Sequence, residues 1–285
     1  ILFRLVGSEM CIRDRRGTVF DSVEFYNRLG ARFECNDPEF LEPGGCMTFT
    51  GIDISRGAES EDDWYYLSQS SETQELLDDL GMLDVQQRES PMPDRRKMFK
   101  DSTEVSTRVR AWCRTAIGAM NFLARAVRWD ISHSVSWVSS QMSHPVAGTV
   151  AALEHLCGYL KHTAGFRIAG RRSSGPDSYS VYTDSDHHGD PLTGTRSHTG
   201  VTVMLNGTPV FWRSNKQKGT PALSPMEAEI YALSEGVRDA HDVAWVLEEM
   251  GCSVAWPLPI FTDSDGALSF QWNSCPKSKL RGCID

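Results

Sequence analysis

Twice in this 285-residue chain a short apolar run ends in the same four residues, Thr-Asp-Ser-Asp, at 183–186 and again at 262–265. The first follows the alternating stretch Tyr179–Tyr182, and the second closes the run from Leu258 to Thr262. Both runs read as strands. Between them Gly200–Leu205 and Val210–Trp212 read as two more, joined at Asn206-Gly207, the strongest short hairpin signal. A helix is expected to open at Ser224-Pro225-Met226-Glu227 and run to Gly251. The order is strand, hairpin, strand, helix, strand. If the first and fourth strands are neighbours in one sheet, Asp184 and Asp263 sit just past two strand ends and open at one edge.

A helix carboxylate from 225–250 could join them. Carboxylates converging on one point repel unless a divalent cation sits among them. Oxygen-only ligands suit magnesium or manganese, not zinc. Two such ions ~4 Å apart can clamp the attacking and leaving oxygens of a phosphodiester. Solvated loop carboxylates are the competing reading. On the helix, Ser224 at the N-cap, Pro225 at the first helical position and Glu227 at the third form a capping box, which gives Glu227 a structural task. Glu229 lies about 200° further round, so the two cannot face the same site, and Glu229 is the expected ligand. Asp184-Ser185-Asp186-His187-His188-Gly189 imitates the start of a calcium loop. Its twelfth place is Thr195 and not Glu, so that match fails. His187 and His188 are expected at the surface.

Charge divides the chain. Its 29 basic and 38 acidic side chains give a net −9, which excludes a uniformly basic nucleic-acid binder. Residues 105–180 nonetheless carry 9 basic and 3 acidic groups between acidic flanks. Arg108, Arg110, Arg114, Arg125, Arg128, Lys161 and Arg167 supply most of this charge, either as a surface that tracks phosphates or as a solvated face. They fall around two expected helices. Residues 111–125 carry Ile117, Met120, Leu123 and Ala124 on one stripe, and about 148–161 carry Leu153, Leu156, Cys157 and Leu160 at helical spacing.

Further upstream, Phe49–Ile54 and Trp64–Leu67 read as strands. Residues 72–82 read as a short helix ending at Gly81, and 84–107 as a polar linker. Residues 170–178 are Gly/Ser/Pro/Arg-rich and read as the boundary between halves. The 8 cysteines contain no C-x-x-C pair. With no secretory signal before them they read as reduced thiols, not zinc ligands. No apolar run approaches the roughly 20 residues of a membrane-spanning helix. Leu5 to Arg15 is similar to a translated frame of a sequencing adaptor. Residues 1–16 are therefore set apart as non-native, with the true start expected upstream.

Tyr182-Thr183-Asp184-Ser185-Asp186-His187-His188-Gly189-Asp190, Arg196-Ser197, Thr199-Gly200, Pro209-Val210-Phe211-Trp212, Ser214-Asn215-Lys216-Gln217 and Ala222-Leu223-Ser224 occur in this order. Glu227-Ala228-Glu229, Tyr231-Ala232-Leu233-Ser234-Glu235 and Asp263 follow. Together they resemble the ribonuclease H domain of copia-type LTR retrotransposon polyproteins. Phe49–Ile54, Leu67-Ser68-Gln69, Gly81-Met82, Pro91-Met92, Arg114 with Gly118, Trp129-Asp130-Ile131, Met142 with Pro145, and Tyr159-Leu160-Lys161 with Thr163 are similar to the C-terminal part of the same family's reverse transcriptase.

The resemblance implies an α/β (α+β overall) chain. Residues 17–169 would be the end of the palm, the thumb and the connection, and 179–285 a ribonuclease H-like mixed sheet with flanking helices, its fourth strand parallel to its first. It implies hydrolysis of the RNA strand of RNA–DNA hybrids with two Mg2+ or Mn2+ ions. Asp184 would bridge both ions, Glu229 and Asp263 would hold one, and Asp285 would be the fourth carboxylate. Arg114, Arg125, Arg128, Lys161 and Lys216 would contact nucleic acid. The partners implied are the hybrid and the rest of the Pol polyprotein, with no membrane, in a cytoplasmic particle or the nucleus. The family's Tyr-x-Asp-Asp polymerase turn has no counterpart, so DNA synthesis is not expected. Where the family has Lys-His-Ile-Asp, this chain has Gly282-Cys283-Ile284-Asp285, and a final residue frays. The domain is therefore expected to be truncated and its site weakened. A remnant that binds hybrid without cutting it, or a fragment that folds only in part, are the rival expectations.

Overall fold

The computed structural model describes residues 27–28, 30–33, 41–58, 64–92, 101–171, 177–187, 196–249 and 254–267. The adaptor-like start and the chain after Ala267, including Asp285, lie outside the described residues, as do His188 and Thr195.

The first half combines a sheet and a helical cluster. Strands β1 (Cys46–Phe49), β2 (Ile52–Arg56), β3 (Trp64–Ser68) and β4 (Arg167–Arg171) form one antiparallel sheet in that order. The single strand expected over 49–54 is instead a hairpin. Thr50 and Gly51 have φ of 47° and 73°, so the chain reverses between two short strands. Glycine at the second position carries that conformation without a side-chain clash. The expected linker begins later than 170, because Gly170 and Arg171 complete β4 against Tyr65 and Trp64.

Helices α1 (Ser70–Asp79), α2 (Thr107–Ala126), α3 (Ser132–Ser139) and α4 (Ala147–His162) pack around one core. Leu77, Met120, Leu123, Leu153, Leu156 and Leu160 are all at most 2% exposed, so the apolar stripes legible in the sequence do face inward. Helix α1 ends in a Schellman turn, where Gly81 N–H donates to Asp78 and Met82 N–H to Leu77. Helix α3 was not expected. Its Ser-His-Ser-Val-Ser-Trp-Val-Ser sequence alternates like a strand, yet Val135, Trp137 and Val138 are buried against the neighbouring helices. Packing overrides propensity here.

In the second half, β5 (Tyr179–Asp186), β6 (His198–Leu205), β7 (Thr208–Lys216) and β8 (Ile260–Phe261) form a sheet in the order β7-β6-β5-β8. The β5–β6 and β6–β7 pairs are antiparallel and β5–β8 is parallel, as expected. Asn206 and Gly207, with φ of 52° and 76°, make the hairpin turn.

Helix α5 (Pro225–Glu249) lies across this sheet. Its Ala240 and Ala244 bury against Tyr179, Val181, Val201 and Val203. Tyr179 Oη donates to the Ala240 carbonyl at 2.8 Å. On the β7 side, Arg213 pairs with Glu235 at 3.2 Å and with Asp239, one helical turn apart. A Cβ on Gly236 would collide with the Thr183 methyl, so the helix axis approaches β5 only because this residue has none. Gly236→Ala should therefore destabilise the chain. The helix-propensity gain of about 1 kcal/mol is outweighed by overpacking of about 1–3 kcal/mol against a stiff β-branched side chain. Urea unfolding would show it, and a rise in stability would mean the helix can simply step outward.

The halves touch along β7. Trp212 Nε1 donates to the Ala124 carbonyl at 2.6 Å, His133 Nδ1 meets Ser214 Oγ at 3.3 Å, and Thr208 Oγ1 donates to the Ala169 carbonyl at 3.1 Å. Among the described residues no helix is long and apolar enough to cross a membrane.

Candidate active site

Asp184 lies inside β5 and not beyond it. The strand runs on to Asp186 because its ladder with β6 continues through Asp184–Gly200 and Asp186–His198. Asp263 follows the two-residue strand β8 directly across the parallel pair. The shared Thr-Asp-Ser-Asp sequence thus ends at one edge of the sheet.

Glu229 reaches the same edge from the first turns of α5. Its neighbour Glu227 faces elsewhere. Ser224 Oγ accepts from Glu227 N–H at 3.2 Å, and Glu227 Oε2 accepts from Leu223 N–H at 2.7 Å. This is a capping box displaced by one residue, since the carboxylate reaches the amide before the N-cap. With Glu227 held there, Glu229 points at the strands. One carboxylate oxygen from each of Asp184, Glu229 and Asp263 lies within 4.8 Å of the others.

Ser185 N–H donates both to Asp184 Oδ1 at 2.8 Å and to Glu229 Oε1 at 3.2 Å. Glu229 Oε2 is buried and accepts no hydrogen bond among the described residues. Burial pushes the Glu229 carboxyl up to about 7, and the charges of Asp184 and Asp263 push it the same way, against the Ser185 N–H. An orphaned carboxylate oxygen between two further carboxylates suits a hard divalent cation, which would supply the missing partner and cancel the repulsion. The residues present therefore fit Mg2+ or Mn2+.

The raised Glu229 value has a consequence for stability. Below about pH 4.5 the carboxyl is protonated whether the chain is folded or not. Between there and about 7 the folded chain holds a proton that the unfolded chain releases, so stability falls as pH rises through that window and is level above it. In EDTA, Glu229→Gln should match the parent at pH 4.5. At pH 8 it should be more stable by about 1 kcal/mol, after allowance for solvent screening of a half-buried group. A thermal melt at both pH values checks this, and a variant destabilised at pH 8 would remove the repulsion.

The basic residues divide. Arg114 and Arg125 are exposed on α2. Lys216 ends β7 opposite His198, level with Asp186 at the carboxylate edge of the sheet. Arg128 is a correction. It is 1% exposed, ion-paired with Asp130 and stacked over Tyr159 and Phe166, so no phosphate can reach it. Lys161 is partly buried and donates to the Val85 carbonyl at 3.1 Å, which uses one of its three N–H donors. Arg128 belongs to the helical core's polar fastening. Sequence spacing placed Arg128 beside a helix but could not show that Thr163 and Phe166 return to its guanidinium. Asp285 lies outside the described residues.

Over 260 residues, 89% of its length, the chain is 28% identical to a retrovirus-related Pol polyprotein from transposon RE2 of Arabidopsis thaliana. A second Arabidopsis Pol polyprotein, from transposon RE1, is 28% identical over 255 residues and 90% of the chain. The chain is thus similar, over about nine-tenths of its length, to retrotransposon Pol polyproteins. It spans 16% of the length of each of these two Pol polyproteins. Over 126 residues, 44% of the chain, it is also 36% identical to secreted RxLR effector protein 161 of Plasmopara viticola, covering 87% of that protein. No protein-family model matches.

Proposed function

We propose that this Pol segment hydrolyses the RNA strand of RNA–DNA hybrids, with Asp184, Glu229 and Asp263 holding Mg2+ or Mn2+. The observation that carries this reading is the convergence of those three carboxylates at one sheet edge, with Glu229 Oε2 left without a partner among the described residues. A bound cation would neutralise charge developing on the phosphate and its leaving oxygen and lower the pKa of attacking water.

The chain's own residues do the rest. Ser185 N–H fixes Asp184 and Glu229 relative to each other. Three carboxylates alone would repel a phosphodiester, so hybrid binding at this edge depends on the cation and on cationic side chains nearby. Lys216 at the same edge, Arg114 and Arg125 on α2 and Lys161 on α4 are the candidates that remain exposed or partly exposed. The second ion and the fourth ligand, Asp285, rest on the family resemblance.

Cleavage of a labelled hybrid with magnesium, absent in EDTA and absent on DNA duplex, is the expected result. Binding of hybrid without turnover would leave a nucleic-acid-binding segment. Equal cleavage in EDTA would exclude this site.

A further inference from the structure

We propose that Gln217 is a positioning residue for the cation site, joining the two elements that carry Asp184 and Glu229. This rests on reading the three carboxylates as a cation site. Gln217 follows β7 at the carboxylate edge and is buried, 9% exposed. Its Nε2 lies 3.0 Å from the Ala228 carbonyl, 3.1 Å from Thr199 Oγ1 and 3.4 Å from Ser185 Oγ. A carbonyl can only accept, so the amide's NH2 end must face Ala228. Its two hydrogens go to the two nearer acceptors, and the third contact is shared. Its backbone N–H donates to the carbonyl of Ser197, the residue before β6, at 2.8 Å.

Each contact lands next to the site. Ala228 is the residue before Glu229, and its carbonyl belongs to the peptide that carries the Glu229 N–H. Ser185 is the residue whose N–H holds both Asp184 Oδ1 and Glu229 Oε1. One amide thus spans β5, β6 and α5. Among the described residues Gln217 makes no such tie to Asp263, so the effect falls on the Asp184–Glu229 half of the site. Residues that orient metal ligands without touching the ion typically change affinity by about 10- to 100-fold when removed.

The test uses Mn2+ alone as probe, followed by the loss of its free-ion EPR signal on titration with the full chain at pH 8. Gln217→Met keeps the volume and removes both donors. It should bind Mn2+ about 10- to 100-fold more weakly than the parent at temperatures well below its melting point. Thr199→Val, which removes one acceptor and leaves the amide in place, should show a smaller loss of the same sign. It also keeps the proposal testable if Gln217→Met does not fold. A purely structural Gln217 would lower the melting temperature in EDTA and leave Mn2+ affinity at the parent's value, and that outcome overturns the proposal. A parent that takes up no Mn2+ overturns the cation-site reading itself, and Gln217's role with it.

Discussion

Asp184→Asn should reduce magnesium-dependent hybrid cleavage to background while the chain stays folded. Asp184 is exposed on β5, so its substitution disturbs no packed core. Asn is nearly isosteric, and its carbonyl can still accept the Ser185 N–H that Asp184 Oδ1 accepts at 2.8 Å. What is lost is one of the three carboxylate charges that meet at this sheet edge. The same substitution removes one of the charges that push Glu229 up, so the Glu229 carboxyl should titrate lower in the variant. A hydrolysis assay, circular dichroism and a pH-dependent melt on the same preparation separate these effects. Glu227→Gln is the control, because that carboxylate serves the helix cap and should cost stability without abolishing turnover. Full activity in Asp184→Asn would remove the residue from the site.

The carboxylate site was more legible than the fold around it, for a physical reason. Strand ends are written locally. Alternation followed by Thr-Asp-Ser-Asp needs no knowledge of partners, and the parallel β5–β8 pair then brings Asp184 and Asp263 to one edge. The choice of Glu229 over Glu227 also came from local rules, since Ser224 and Pro225 mark the helix start and the 100° step per residue separates the two carboxylates. Burial of charge is not local. Arg128 carries the same sequence signature as the exposed Arg125 three residues earlier. Only the return of Thr163 and Phe166 to its guanidinium distinguishes it. Helix α3 was illegible for a similar reason, because its alternating Val135 and Trp137 are helical only by virtue of what packs on them. Gln217 gives no sequence signal of its role, since its three acceptors come from three separate elements.

Arg128→Met should be the most destabilising single change considered, at about 3–5 kcal/mol, and should leave hybrid affinity per folded molecule unaltered. The guanidinium makes a bidentate pair with Asp130, Nε to Oδ1 at 3.0 Å and Nη2 to Oδ2 at 2.8 Å. It also donates to Thr163 Oγ1 at 2.6 Å and to the Thr163 carbonyl at 3.3 Å. Its faces lie over Phe166 at 5.0 Å and Tyr159 at 5.7 Å, joining the end of α2 to the end of α4. Removing it strands Asp130, whose side chain is 13% exposed, and leaves Thr163 Oγ1 without its donor, while the Thr163 carbonyl keeps the Phe166 N–H. The exposed Arg110–Glu104 pair, with side chains 38% and 90% exposed, gives the contrast: its loss should cost at most about 1 kcal/mol. Lysine should not rescue position 128, because one ammonium cannot reproduce a planar fork. Replacing Asp130 as well should recover part of the loss, since the stranded carboxylate is then gone. Urea unfolding of the single and double variants, with hybrid binding measured alongside Arg114→Glu, decides the matter. Parental stability with lost hybrid affinity would return Arg128 to the candidates for contacting nucleic acid.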